Sequence, residues 1–406
     1  MNSFASTGHK EYCWQSIWNR GLVSLFIIIN FFDNITRYKH LVAGLMFFTA
    51  LYYVAKKRTA LLHFFKNNLT YSLLCFVAVC AYAVAISVDP AYSFSKFANT
   101  VLEKLLLMTL IIPILLHAES KENISKTLIY SLIIGILPLA IVDGWQYYHE
   151  YQQGIMPLTN YDHKYRSDIL IFMAPAFLFL WNIKTARAKV LFFVIACVMG
   201  FMIVGTLQRG TWLSILIPAL IWCVLKKEWK LPLIAAVLLG GVLVAGYVKD
   251  QDAFKLLFHK MQQTSSSYRY GGGTQGSALD LIMENPVKGY GYGEDIFYRV
   301  YNSRVHDYPQ WFFKHSIGPH NLTLSMWYAG GLLGLFAVWY LLISLLTEAV
   351  KGYRASQGLV KEAWLLIGLI LVGNLFVRGA FETVSIENLT MLLGIALALK
   401  ARSQQN

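Results

Sequence analysis

Charged side chains are scarce in this chain: Asp, Glu, Lys and Arg make up 14% of its 406 residues, whereas 56% are hydrophobic. One soluble domain of this length cannot bury that much apolar surface, so a soluble globular fold is excluded and a bilayer is expected to take the surplus. The scarcer sign is the negative one, 22 acidic residues against 35 Lys and Arg, which leaves a net charge of +13. In a soluble protein that excess would point to nucleic acid. Here the basic residues gather in short loops beside apolar runs, where retention on the cytoplasmic side and anionic headgroups account for them. The expected surroundings are therefore membrane lipids, with no nucleic acid. Cysteine is sparse as well. Cys13, Cys75, Cys80, Cys197 and Cys223 include no CxxC pair and four of them lie in apolar segments, so neither a disulfide framework nor a thiolate metal site is expected. Also missing are an internal repeat, a low-complexity tract and a cleavable leader. Lys10, Glu11 and Arg20 interrupt the first twenty residues before an apolar core forms, so the first helix is expected to stay as an anchor.

What the chain has in plenty is apolar runs. They lie near 21–32, 41–55, 70–88, 99–117, 126–147, 168–183, 189–207, 211–225, 231–248, 321–346, 362–380 and 386–400. A helix needs roughly 20 residues to cross hydrocarbon about 30 Å thick, so the shorter runs must recruit flanking polar residues or snorkel. The expectation is an all-α, polytopic membrane protein of about twelve transmembrane helices. Lys and Arg in alternate loops orient it. Lys56, Lys57, Arg58, Lys66, Lys226, Lys227, Lys230, Lys351 and Arg354 fall on one side, which outnumbers the other in basic residues and takes both termini to the cytoplasm. The segment 249–320 then lies on the outer face and divides the chain into 1–248 with helices one to nine, a loop domain 249–320, and 321–406 with the last three helices. A loop beyond roughly 15 residues is usually functional or disordered. Leu279, Ile282, Met283, Phe297, Tyr298 and Trp311 at partly helical spacings argue for short folded helices within it, as do Phe254, Leu256 and Leu257.

Three polar features stand on the outer face. Arg209, followed by Gly210, sits between two apolar runs with almost no loop, where an arginine either snorkels to lipid phosphate or serves as a fixed cation for an anionic substrate. Arg269 precedes Gly271, Gly272 and Gly273, a stretch that can bend and present backbone amides to an anion. The later Gly289, Gly291 and Gly293 suit a turn better than a phosphate cradle, because no strand precedes them and no βαβ unit surrounds them. His320, in Gly318-Pro319-His320-Asn321, stands where the next membrane helix begins, and the positive end of that helix favours a neutral base. His306 and His315 share the loop, but their spacings match no metal-ligand pattern. Lys164, Arg166, Asp168, Arg378 and Glu382 are further outer-face positions, for which a structural role is the simpler reading.

At these residues the chain resembles the O-antigen ligase and O-antigen polymerase-like superfamily, and within it the enterobacterial, lipopolysaccharide-type O-antigen ligases, over nearly its whole length. The most specific element is a pattern of His, then Asn, Ser or Gln, nine variable residues, Gly, two variable residues, then Gly, Thr or Tyr. Here it is met by His320, Asn321, Gly331 and Gly334. The segment from Asn285 to Gly293 is similar to the family's stretch before that histidine, and Arg209-Gly210 takes the place of its arginine at a periplasmic helix end. One departure concerns Arg269: some members carry Leu four residues after the loop arginine, where this chain has Gly273.

The resemblance implies a glycosyltransferase without a cofactor or metal. It would move a glycan from undecaprenyl diphosphate to the outer core of lipid A-core, on the periplasmic face of the bacterial inner membrane. Arg209 and Arg269 would bind the diphosphate and His320 would act as general base in an inverting displacement, with Asn321 among the substrate-binding residues. An O-antigen polymerase or a protein O-oligosaccharyltransferase shares the donor and differs in the acceptor. A lipid-linked glycan transporter is the alternative from another class, but it would favour broken helices and charges near mid-membrane, whereas the polar candidates here sit at the outer edge.

Overall fold

A computed structural model describes residues 4–32, 34–233 and 269–401, together with positions 240, 241, 244 and 259. Among the described residues there is no strand, and seven helices are long and apolar enough to cross a membrane. The chain opens with α1 (Phe4–Ile29), α2 (Thr36–Leu62) and α3 (Asn68–Ala85). A single span, Pro90–Leu115, follows, built from α4 (Pro90–Lys96), a π-helical stretch Phe97–Leu107 and α5 (Met108–Leu115). Then come α6 (Lys121–Gln152), α7 (Ser167–Phe177), α8 (Ala186–Gly205) and α9 (Arg209–Lys226). The expected span 231–248 and the first part of the expected loop, with Phe254, Leu256 and Leu257, lie outside the described residues apart from the isolated positions named. The chain resumes through α10 (Thr274–Glu284) and α11 (Glu294–Arg304) into α12 (Leu322–Ala355), α13 (Gly358–Leu371) and α14 (Leu389–Ala401).

Burial explains the layering. Every residue from Leu389 to Leu399 is buried, so α14 is apolar all round and occupies the middle of the bundle. Its neighbours are α5, α6, α12 and α13, with Gly394 lying against Ile112. At 13 residues α14 is about 20 Å long, which is why the last apolar run is absent from the seven spans despite its composition. The first run differs in the opposite sense: α1 begins at Phe4, and its polar N-terminal half continues the helix well before the apolar stretch that holds buried Leu22, Val23, Phe26 and Ile27.

The loop ahead of α12 is folded as its pattern predicts. Ala278, Leu281 and Ile282 of α10 pack with Ile296, Phe297 and Tyr301 of α11 and with Trp311 and Tyr328, forming a small core separate from the main one. Its order is reinforced by stacking of Trp311 on Tyr308 at 4.3 Å between ring centroids and by the Trp311 indole N–H bonded to Asp280 at 2.8 Å. This unit is joined to α12 through backbone: the Tyr290 and Gly291 amides donate to the Tyr328 and Ala329 carbonyls at 2.9 and 3.0 Å. The helix is kinked there, with Gly331 at φ 60°, and a Cβ on Gly331 would overlap the Val287 carbonyl. The glycine of the His-Asn-Gly-Gly pattern therefore lets a loop backbone dock on a helix.

Candidate active site

Four elements end at one place in the bundle: the start of α12, the start of α10, the start of α9, and the segment Arg378–Glu382 that follows α13. At the first of these, His320 adopts φ 47°, a left-handed conformation that few side chains other than Asn, Asp and His tolerate. Gly318 at φ 86° turns the chain into it. Asn321 then caps α12, its side-chain oxygen accepting from the Leu324 amide at 3.0 Å and its amide donating to the Ala380 carbonyl at 3.2 Å. Both polar atoms of Asn321 are thus engaged in holding the helix start against Arg378–Ala380, rather than aimed into open space.

His320 meets a carboxylate. Its Nδ1 lies 3.1 Å from Oε2 of Glu382, and because a carboxylate only accepts, Nδ1 carries the proton and Nε2 is left as the basic nitrogen. The other oxygen of Glu382 accepts from Nη2 of Arg269 at 3.0 Å, while Nη1 of Arg269 donates to the Phe381 carbonyl. Burial pushes the Glu382 carboxyl up, but the hydrogen bond from His320 and the nearby Arg269 guanidinium outweigh it and hold the group below its ordinary value. Gln275 completes the frame, donating to the carbonyls of Ala380 at 2.9 Å and His320 at 3.2 Å.

Arg209 opens α9, one residue before Gly210. A Cβ on Gly210 would stand 3.9 Å from Cγ of Glu382 and 4.0 Å from Cβ of Phe381, so the first turn of α9 is pressed against the same carboxylate. A cation in the first turn of a helix opposes the macrodipole. Arg209 is half-exposed there. Next to it Ser167 donates to the Gln208 side-chain oxygen at 2.9 Å and Thr211 donates to Ser167 at 2.8 Å, which locks α9 to α7. His320, Arg269 and the start of the Arg209 helix, which are far apart in sequence, converge on Glu382. His306 and His315 do not join them in any described contact, and no group of His, Cys, Asp and Glu suited to a metal ion occurs among the described residues.

In the glycine-rich stretch after Arg269, the amides of Gln275 and Gly276 donate to the Arg269 carbonyl at 2.8 and 3.0 Å, and Gly272 lies against the backbone of Gln310, so tight packing is one use of these glycines. Of the further outer-face positions, Arg378 is buried and paired with Asp168, with Asn374 donating to the same carboxylate at 3.3 Å. That ties α7 to the end of α13. Glu382, by contrast, is central.

Beside this cluster lies a cavity of about 220 Å³. Its wall includes Pro319 and Thr383, the chain neighbours of His320 and Glu382, and it is closed by Lys96, Thr100, Gly291–Glu294, Phe297, Leu322, Ser325, Met326 and Val384. Apolar floor, hydroxyls, one ammonium and one carboxylate make a lining that suits a saccharide, which has apolar ring faces and polar edges.

A second polar cluster escaped the sequence reading. His163, fully buried, bridges Asp143 and Glu150, with Nδ1 2.8 Å and Nε2 3.0 Å from their oxygens, and stacks on Tyr147 at 3.8 Å. Gln146 and Asn160 also donate to Glu150, at 2.9 and 2.8 Å. Two acidic residues seven apart on one face of an otherwise apolar helix were the available signal.

Comparison with known proteins agrees with these features. A family model described as O-antigen ligase matches residues 191–339, a stretch that contains Arg209, Arg269 and His320. The protein named O-antigen ligase in Salmonella typhimurium is 42% identical over 405 residues, covering 99% of this chain and 100% of that protein. The protein of the same name in Pseudomonas aeruginosa is 26% identical over 286 residues, covering 68% of this chain and 65% of its own length. A likeness at this identity and coverage, together with a helical bundle carrying the His-Asn-Gly-Gly pattern, means that the chain belongs to the O-antigen ligase family.

Proposed function

We propose that this protein is an O-antigen ligase of the bacterial inner membrane, transferring a glycan from undecaprenyl diphosphate to the outer core of lipid A-core at its periplasmic face. The observation that carries the reading is the meeting of His320 and Arg269 on one carboxylate, beside the helix that starts at Arg209, in a chain of the O-antigen ligase family. In this reading a hydroxyl of the acceptor sugar attacks the anomeric carbon of the glycan while the bond to the diphosphate breaks. Nε2 of His320 takes the hydroxyl proton, and the bonding electrons leave with the diphosphate, whose growing charge Arg209 and Arg269 stabilise. Attack opposite the leaving group inverts the anomeric centre. Asn321 serves by fixing the turn that presents His320, and the adjoining cavity takes the acceptor sugar. No step needs a metal, because the two guanidiniums neutralise the leaving group.

The membrane arrangement that goes with this reading has about twelve spans and both termini in the cytoplasm. Residues 1–248 form the first nine helices, 249–320 a periplasmic loop domain, and 321–406 the last three helices. The basic residues near the end of α2 (Lys56, Lys57 and Arg58), Lys66 before α3, and Lys227 and Lys230 after α9 support that orientation, as does the gathering of His320, Arg269 and Arg209 at one end of the bundle. The reading is tested by mixing the purified protein with undecaprenyl-diphosphate glycan and lipid A-core. Ligated lipopolysaccharide supports it. A longer lipid-linked glycan would mean a polymerase, and glycan moved across a vesicle without a new bond would mean a transporter.

A further inference from the structure

Glu382 touches both halves of the site. One oxygen holds Nδ1 of His320 at 3.1 Å, the other holds Nη2 of Arg269 at 3.0 Å, and its Cγ lies against Gly210 at the start of the Arg209 helix. The residue is itself well placed to be rigid. Its amide donates to the Arg378 carbonyl at 2.8 Å, and the Arg378–Ala380 turn is pinned by Gln275 and Asn321 from one side and by the Arg378–Asp168 pair from the other. A carboxylate fixed at both its backbone and its oxygens defines the direction in which two other side chains point. The nearby backbone carbonyls already have donors in Gln275 and Asn321, and the start of α12 is capped by Asn321, so neither depends on a charge there.

We propose that Glu382 is a positioning residue that sets His320 and Arg269 as one unit. It keeps the proton of His320 on Nδ1, so that Nε2 faces the acceptor hydroxyl as a base, and it holds the guanidinium of Arg269 at the edge of the same space, where the diphosphate must lie. Base and leaving-group cation are then fixed relative to one another before either substrate arrives. The proposal rests on the reading of His320 as the base.

The test is a double-mutant cycle on the full-length protein in detergent or proteoliposomes, with defined undecaprenyl-diphosphate glycan and lipid A-core. Glu382→Gln keeps the size but loses the charge and one of the two accepting oxygens. It is expected to lower kcat roughly 100-fold or more, by analogy with removal of the carboxylate behind other catalytic histidines, with KM for the donor changed less than kcat. Glu382→Asp, which keeps the charge at a shorter reach, is expected to recover part of the loss. The double variant His320→Ala with Glu382→Gln should be slower than His320→Ala by a much smaller factor than Glu382→Gln slows the wild type, the remainder reflecting Arg269, because groups that act as a unit are not additive. A merely structural Glu382 would instead slow the His320→Ala protein by the same factor as the wild type and lower its melting temperature. If Glu382→Gln is poorly folded, Glu382→Asp and its cycle with His320→Ala carry the test. Wild-type kcat in Glu382→Gln, or additive losses in the cycle, overturns the proposal. Activity surviving in His320→Ala would overturn the base assignment itself, so the two failures are told apart.

Discussion

His320 and Arg269 are separated by 51 positions in the chain and by one carboxylate in space: each donates to a different oxygen of Glu382. The guanidinium also donates to the Phe381 carbonyl, so its planar fork spans two acceptors at fixed directions. A lysine keeps the charge but not the fork. Arg269→Lys is expected to ligate about 10- to 100-fold more slowly than wild type, the equivalent of losing one charge-assisted hydrogen bond at roughly 1.5–3 kcal/mol. Initial rates at saturating acceptor measure this, and a wild-type rate in Arg269→Lys would mean that charge alone suffices.

Arg209 differs in that it stands in the first turn of α9, where its neighbour Gly210 lies against Glu382 and Phe381. Its loss should weaken handling of the donor. Arg209→Ala is expected to raise KM for the undecaprenyl-diphosphate glycan by about tenfold or more, and to leave KM for lipid A-core within about twofold. Equal effects on both substrates would contradict a role at the diphosphate.

The cavity beside the cluster gives the complementary prediction. Ser325→Trp would fill it from the α12 side without touching His320, Arg269 or Arg209. KM for lipid A-core should rise at least tenfold while release of glycan to water from the donor continues. An unchanged acceptor KM would place the acceptor elsewhere.

Two neighbouring glycines of α12 should respond unequally to alanine. Gly331 has φ 60° and its Cβ would overlap the Val287 carbonyl, whereas Gly330 has φ −121° and its Cβ would make ordinary contact, 3.5 Å, with Val79. Gly331→Ala is expected to destabilise the protein by about 2 kcal/mol or more, and Gly330→Ala by less than about 1 kcal/mol. Thermal unfolding in detergent separates them. Glycine at 331 is thus a packing requirement of the pattern that carries His320.

The buried His163 cluster makes a pH prediction. Burial disfavours its charged form, but the hydrogen bonds and charges of Asp143 and Glu150 outweigh this and raise the imidazole above its ordinary value of 6.5. A raised folded value stabilises the protein fully below the unfolded value near 6.5, and that stabilisation is lost as pH climbs through the folded value. The melting temperature should therefore fall as pH rises above about 7. His163→Gln should melt lower at pH 6 and show no such fall. A wild-type curve that rises over that range would contradict the charged bridge.

Much of this was legible in the sequence, for reasons tied to particular residues. Apolar runs long enough to cross a membrane mark themselves, and the spacing of Leu279, Ile282 and Phe297 announced helices in the loop. His320 and Arg209 stand out because polar residues beside apolar runs are costly, and Arg269 because of the glycines that follow it. What brings them together did not stand out. Glu382 is a lone acid in a short turn 62 residues beyond His320, and only the fold places it between His320 and Arg269. The glycines after Arg269 show the same limit, since Gly followed by Gly fits both an anion cradle and a tight turn, and only the fold shows the backbone of Gln310 against Gly272. Asp143 and Glu150 were visible as acids in an apolar helix, but their partner His163 lies in a different element.

The most direct measurement of the central claim is the ligation rate of purified His320→Ala protein, folded by its melting curve, with undecaprenyl-diphosphate glycan and lipid A-core. If Nε2 of His320 takes the acceptor proton, the rate falls by about 100-fold or more. A rate equal to wild type would contradict the account.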